Sequence, residues 1–264
     1  MTSQDKQDTL HTFAICCCGI IAYIITNVSH EAIGHGLTSV ILGNQITLLS
    51  SAYFRSWPHS FITDALGPIM NLVMGLVFFI IINRTSTRNL YFKLIMLLSM
   101  AFNLFCFSWL CFYAGVTGSG DLAFDVSGLM TFFTWRGILI ATGLITYYLS
   151  FILVLQSSRT IFSDADSLYS RKFLSQLFLT PYFAAGIAAW IAVSFFRPVS
   201  FTNYYETFVI PIFAPLLFVP GYLKAQRLAT DTFGASQEFK WKLVGFILAV
   251  FILFCLTMGR GMEF

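Results

Sequence analysis

Two histidines and a glutamate lie close together near the N-terminus, at the end of a long apolar segment. His30 and Glu31 are adjacent, and His35 follows five residues after His30. Neutral imidazole is the commonest metal ligand in proteins, and a glutamate beside a zinc-activated water is the usual general base of metallopeptidases. Ionisable side chains at membrane depth are costly and usually functional. These residue types therefore predict a metal site with hydrolytic chemistry.

The spacing of the two histidines sets a condition on the helix that carries them. Residues four apart in an α-helix differ by ~40° around the axis, whereas residues five apart differ by ~140°, which splays the side chains. A single i→i+5 turn absorbs the extra residue and brings the side chains together again. We therefore predict a π-bulge between His30 and His35, which Gly34 makes easier to form.

A catalytic zinc site needs a third protein ligand and an open position for water. Three aspartates are candidates, in the order Asp121, Asp125 and Asp64. The first two follow the third apolar segment, and the glycines near Asp121 allow the backbone to approach a site closely. The other histidines are weaker candidates, because His11 lies near the N-terminus and His59 follows a Trp-Pro pair in a loop.

Three sequence elements resemble the site-2 protease family of intramembrane zinc metalloproteases. The run His-Glu-Ala-Ile-Gly-His at 30–35 is similar to the family's His-Glu-x-x-His helix with one extra residue, a spacing also seen in the third dipeptidyl peptidase family. Gly67-Pro-Ile-Met-Asn71 is similar to the family's Gly-Pro-x-x-Asn element. The family's third element is an Asn-containing helix followed by Leu-Asp-Gly, and Asn103 followed by Gly120-Asp121 is similar to it in order. The motif around Asp121 reads Ser-Gly-Asp-Leu here instead of Leu-Asp-Gly. The resemblance covers about residues 25 to 130.

The resemblance implies roles for six residues and one cofactor. It implies a zinc ion (Zn²⁺) held by His30, His35 and Asp121. It implies that Glu31 is the general base that deprotonates the attacking water. It also implies that Asn71 and Asn103 position the substrate backbone or brace helix packing.

The composition indicates the membrane as the place where these elements fold. Of 264 residues, 57% are hydrophobic, only 10% are charged and 30 are Phe; the mean hydropathy is +0.78. A soluble domain is nearer a quarter charged. We predict an all-α polytopic membrane protein with about seven transmembrane spans. They are placed at 12–43, 62–82, 90–115, 137–156, 173–196, 206–223 and 241–258.

The sixth predicted span contains three prolines, so it is kinked, broken or re-entrant, and a re-entrant segment would leave six spans. We expect one membrane domain over 1–264, with a three-span metalloprotease-like core at 12–130 and accessory helices at 131–264. Eleven of the 15 lysines and arginines fall on the N-terminal side of this topology. The positive-inside rule then places the N-terminus in the cytoplasm and the histidine cluster toward the opposite side.

These observations favour a zinc-dependent intramembrane metalloprotease, whose partners are the lipid bilayer and a transmembrane protein or peptide substrate. One alternative is an ion- or proton-coupled transporter in which the buried histidines and glutamate form the path. Another is an inactive membrane-embedded binding protein of the same fold. Nucleic acid is not expected as a partner, because no basic stripe stands out in the sequence.

Overall fold

Helices dominate the structure, as the composition predicts. The computed structural model describes residues 3–85, 89–123, 132–163, 171–196 and 241–264. Within these ranges, six helical segments are long and apolar enough to cross a membrane. They are Thr12–Ile41, Phe61–Arg84, Leu90–Thr117, Phe133–Ser158, Leu177–Ser194 and Trp241–Gly259. The chain is therefore a multi-pass α-helical membrane protein.

Each of these six segments coincides with a predicted span, and their ends agree to within about four residues. The seventh predicted span, 206–223, lies outside the described residues. In chain order the described elements are α1 (Ser3–Val28), a π-helix π1 (Ser29–Leu37), α2 (Thr38–Ile41), β1 (Gln45–Leu49), β2 (Phe54–Trp57), α3 (Phe61–Arg84), α4 (Leu90–Thr117), α5 (Phe132–Ser163), α6 (Arg171–Ser194), α7 (Trp241–Phe254), a π-helix π2 (Cys255–Gly259) and β3 (Met262–Glu263).

Helix α4 is the centre of the bundle. Of the residues in its most apolar stretch, 78% are buried, against 22% in α5. It packs against α1, α3 and α5. Leu97, Leu98 and Met100 on α4 have no exposed surface. Because lipid supplies no hydrophobic drive between helices, such close packing is what holds a membrane bundle together.

The two ends of α4 have clear local causes. At its start, the Asn89 side-chain oxygen accepts hydrogen bonds from the backbone N–H groups of Tyr91 and Phe92. At its end, Gly118 adopts a left-handed conformation with φ of 71° and donates its N–H to the carbonyl of Ala114. A glycine takes this conformation without strain, so α4 ends abruptly. The chain then enters the loop that carries Asp121.

Helices α1 and α6 meet at an unusually close contact. A side chain at Gly19 would overlap the backbone of Pro181, so only glycine permits this approach. Small residues at helix crossings are typical of membrane bundles, because they let backbones pack directly. The contact fixes α6 beside the helix that leads into π1.

A small sheet, which the sequence analysis did not predict, lies after π1 and α2. Strands β1 and β2 form an antiparallel hairpin, and β3 at the C-terminus pairs antiparallel with β1, giving the order β2-β1-β3. The turn is held by Ser50, whose side-chain oxygen accepts from the N–H groups of Ala52 and Tyr53. Asn27 of α1 donates to the carbonyl of Ser51, at 2.8 Å. The hairpin is thereby fixed against α1.

Candidate metal centre

The two histidines of the N-terminal motif lie on a widened helix and face each other. Residues Ser29–Leu37 form a π-helix, which confirms the predicted local widening. The Nε2 atoms of His30 and His35 are 3.2 Å apart. Their ring planes are nearly perpendicular, with the centroids 4.7 Å apart. A regular α-helix would have splayed these rings, so the π-helix is what brings the two nitrogens together.

Asp121 completes a cluster with the two imidazoles. Its Oδ2 lies 3.0 Å from Nε2 of His30 and 3.6 Å from Nε2 of His35. The loop that carries it uses Gly120 in a left-handed conformation with φ of 92°, which turns the chain back from α4 toward π1. Burial by itself would raise the pKa of Asp121, but hydrogen bonds to the two imidazoles lower it well below its usual range.

The cluster fits a tetrahedral zinc ion. Nitrogen and oxygen ligands of such an ion lie about 3.3 Å from one another. The three separations in the cluster are 3.0, 3.2 and 3.6 Å. In the described part of the chain, His30, His35 and Asp121 are the one group of three or more potential ligands that converges in this way. Two imidazoles and one carboxylate are also a ligand set that zinc uses in catalytic sites.

The orientation of His35 suits a metal ligand. Its Nδ1 lies 2.8 Å from the backbone carbonyl of Thr63 on α3. A carbonyl can only accept, so Nδ1 carries the proton and donates it. In the neutral imidazole, which is the form that binds a metal, the lone pair is therefore on Nε2, the atom that faces His30 and Asp121. Metal-binding histidines are commonly held in this way by a hydrogen bond from their other nitrogen.

His30 is held by the amide of Asn71. The Asn71 Nδ2 lies 3.2 Å from Nδ1 of His30, while Oδ1 is buried without a hydrogen-bond partner among the described residues. Rotating the amide by 180° exchanges these two atoms. The Oδ1 then accepts a hydrogen bond from the Nδ1–H of His30, and the lone pair of the neutral imidazole lies on Nε2. This rotation gives Oδ1 a donor and prepares His30 to bind a metal.

Two glycines allow α3 to lie directly against π1. A side chain at Gly34 would come within 2.6 Å of the Gly67 Cα and 2.8 Å of the Leu66 carbonyl oxygen. A side chain at Gly67 would overlap the imidazole of His35 and approach that of His30. The Gly-Pro-x-x-Asn element thus acts at two points, because Gly67 makes room for the imidazoles and Asn71 contacts His30 one turn later.

Residues outside the predicted motifs support the cluster from two sides. Phe54 of the β-hairpin stacks on His35, with the ring centroids 5.3 Å apart and the planes at 17°. On the other side, Trp135 of α5 donates its indole N–H to the carbonyl of Leu122, at 3.0 Å. Arg136 donates to the carbonyls of Gly115 and Val116 at the end of α4. The hairpin carried no recognisable signal, and the α5 contacts depend on tertiary packing.

Glu31 lies beside the cluster in a buried position. It is 7% exposed, and its Oε2 has no hydrogen-bond partner among the described residues. It lines a cavity of about 460 Å³ that His30, His35 and Asp121 also line. Burying a carboxylate oxygen without a hydrogen-bond partner costs free energy. The position of Glu31 Oε2 beside the cluster therefore indicates an atom that binds a ligand or water.

The remaining predicted residues take other positions. Asn103 is fully buried on α4, where it donates to Thr26 Oγ1 at 3.0 Å and to the Ser99 carbonyl at 2.8 Å. Of the alternative third ligands, Asp64 pairs with His59 at 2.7 Å and is not part of the triad. Asp64 and His59 line the same cavity as the cluster. Asp125 lies outside the described residues.

Fold and site together define the described chain as a multi-pass α-helical membrane protein with a potential metal-ligand cluster in its bundle. Comparison with protein-family models, with curated proteins and with solved structures finds no match for this chain.

Proposed function

We propose that this chain is a zinc-dependent intramembrane metalloprotease that resembles the site-2 protease family. The observation that carries the proposal is the convergence of His30, His35 and Asp121 on one point beside buried Glu31. These four residues come from sequence elements that the resemblance also selects. A separate support is the cavity of about 460 Å³ at the cluster, a volume typical of ligand-binding sites.

Each residue has a chemical task in this proposal. When bound, zinc supplies Lewis acidity that lowers the pKa of a coordinated water to about 7. Glu31 accepts a proton from the water that attacks the peptide carbonyl carbon, and it delivers that proton to the leaving nitrogen as the C–N bond breaks. The products are a carboxylate and an amine. Asn71 and the Thr63 carbonyl hold the two imidazoles in the orientation that zinc needs.

The substrate class follows from the place of the cluster in the bundle. His30 and His35 lie in the segment Thr12–Ile41, which is long enough to span a membrane. We propose transmembrane protein segments as substrates, unwound near the scissile bond because a hydrogen-bonded helix hides its carbonyl groups. The contacts of Asn71 and Asn103 favour roles in positioning His30 and in bracing α4 against α1.

Metal analysis of purified protein tests the ligand assignment. Wild type and Glu31→Gln are expected to hold one zinc per chain, because Glu31 is not a ligand in this proposal. His35→Ala and Asp121→Ala are expected to lose it. Full zinc retention in His35→Ala would exclude the assignment.

Cleavage is tested separately, in proteoliposomes that contain the zinc-loaded chain and a set of single-span peptides analysed by mass spectrometry. Wild type is expected to cut some of these peptides and Glu31→Gln to cut none. Ion flux through wild type without any cleavage would instead favour a transporter. Zinc binding with neither cleavage nor flux would favour an inactive binding protein.

We also propose that the N-terminus is cytoplasmic and that the cluster lies toward the opposite face of the membrane. The support is the bias of lysines and arginines toward the N-terminal side of the predicted topology. Protease protection of an N-terminal epitope tag in sealed, right-side-out vesicles tests this orientation. Digestion of the tag without breaking the vesicles would reverse it.

A further inference from the structure

The cavity at the cluster has a second wall, which the proposed chemistry does not use. Besides the metal-ligand residues, it is lined by apolar and small side chains of α4 and α6. These are Phe102, Phe105, Leu110, Ala185, Gly186 and Ala189. A water molecule and a metal ion need only a small part of about 460 Å³. The remaining volume therefore has room for part of a substrate.

The wall from α6 is made of small residues on one helix face. Residues Ala185 and Ala189 are 5% and 1% exposed, whereas Phe183 and Ile187 are 56% and 58% exposed. The inner face of α6 thus presents methyl groups and Gly186, and the outer face presents bulky side chains. Among the described residues, no atom lies within 4 Å of a Cβ atom added at Gly186. The space in front of Gly186 is open, in contrast to the tight contacts at Gly34 and Gly67.

Polar groups that line the same cavity indicate a place for a ligand. Glu31 is 7% exposed and lines the same space, and its Oε2 has no partner among the described residues. Three potential metal ligands converge beside it. An occupant that reaches these groups with its backbone therefore has an adjacent side chain directed into a space with apolar walls.

We propose that Gly186 forms the floor of a substrate subsite that accepts one large apolar side chain next to the scissile bond. This inference rests on the proposed function and adds the substrate class at that position. Apolar walls favour an apolar occupant, because burial in the cavity removes apolar surface of a peptide from water. The absence of a side chain at Gly186 leaves room for a leucine- or phenylalanine-sized group.

The test uses two zinc-chelating peptide hydroxamates that differ at the side chain beside the chelating group, alanine in one and leucine in the other. Binding to the zinc-loaded chain is measured by calorimetry in detergent, so the result does not depend on turnover. Wild type is expected to bind the leucine compound at least tenfold more tightly than the alanine compound.

Filling the subsite tests the role of Gly186 directly. Gly186→Leu is expected to remove the preference for the leucine compound while leaving the affinity for the alanine compound within about twofold. Gly186→Ala is expected to reduce the preference by an intermediate amount. The matched control is Gly245→Leu on α7, where an added Cβ also meets no atom of the described residues within 4 Å and which is not among the residues that line the cavity.

The outcomes separate the subsite from the proposed function. Equal affinity of wild type for both compounds, or an unchanged leucine preference in Gly186→Leu, overturns the subsite and leaves the metal centre intact. An equal loss of affinity for both compounds in Gly186→Leu also overturns it. Wild type that holds no zinc, or that binds neither compound when loaded with zinc, overturns the proposed function and the subsite with it.

Discussion

Gly67 lies directly against the imidazole of His35. A Cβ atom at position 67 would overlap Nε2 of His35, the nitrogen that faces the other members of the cluster, and would come within 3.0 Å of Cε1 of His30. The contact joins α3 to the π-helix at the point where the two imidazoles converge. Gly67 is therefore a condition for the geometry of the cluster, although it has no side chain with which to bind a metal.

Gly67→Ala is expected to weaken zinc binding by at least tenfold with little change in the fold. The added methyl displaces the far ends of two imidazole side chains, which can turn away while the helices stay in place. Zinc affinity is measured by competition with a chromophoric chelator, and folding by circular dichroism in detergent. Gly137→Ala on α5, where an added Cβ meets no atom of the described part of the chain within 4 Å, is the control. Unchanged zinc affinity in Gly67→Ala would contradict the overlap.

Gly34→Ala is expected to destabilise the protein itself. Its methyl meets backbone atoms of Leu66 and Gly67 at 2.8 and 2.6 Å, and backbone cannot turn aside as a side chain does. Overpacking of this kind costs about 1–3 kcal/mol. Thermal unfolding in detergent measures the loss. In Gly36→Ala, within the same π-helix, the methyl comes no closer than 3.4 Å to the Glu31 carbonyl, so it is expected to remain near wild type. Equal stability of the two variants would show that α3 and π1 are not packed as described.

Asn71→Ala is expected to lower zinc affinity by roughly 10- to 100-fold, the usual cost of losing a hydrogen-bond partner of a metal-binding histidine. Asn103→Ala provides the comparison, because Asn103 bonds to Thr26 and Ser99 and not to the cluster. That change is expected to cost about 0.6–1.7 kcal/mol of stability with zinc affinity retained. Chelator competition and thermal unfolding on both variants distinguish the two roles. A larger loss of zinc affinity in Asn103→Ala than in Asn71→Ala would contradict these two assigned roles.

Trp135→Phe is expected to weaken zinc binding by about 2- to 12-fold, as for the loss of one ordinary hydrogen bond. The indole N–H of Trp135 holds the carbonyl of Leu122, which follows Asp121 directly. Phenylalanine keeps an aromatic ring but removes this donor, so the loop is less firmly held. Trp190→Phe, on a half-exposed residue of α6, is the matched control. If both changes leave zinc affinity unaltered, α5 does not position the aspartate.

The sequence by itself determined the membrane class, and it selected the two histidines of the candidate cluster and ranked Asp121 first among three candidate aspartates. Long apolar runs with few charges have one stable outcome in lipid, which is a helix, so six spans were placed to within a few residues. The π-helix was also predictable, because two ligands spaced five residues apart cannot face one point from a regular α-helix. His30, His35 and Asp121 were selected from their chemistry and their places along the chain.

Only the tertiary structure decided how these residues are held. The Thr63 carbonyl that orients His35 is a backbone atom, and every residue has one. The stacking of Phe54 depends on a hairpin that is part of a three-stranded sheet, whose third strand, β3, comes from residues 262–263. The bond from Trp135 to the Asp121 loop likewise depends on how α5 packs against α4. Such contacts join elements that are distant in sequence, and their partners are fixed by packing, which leaves no local pattern in the sequence.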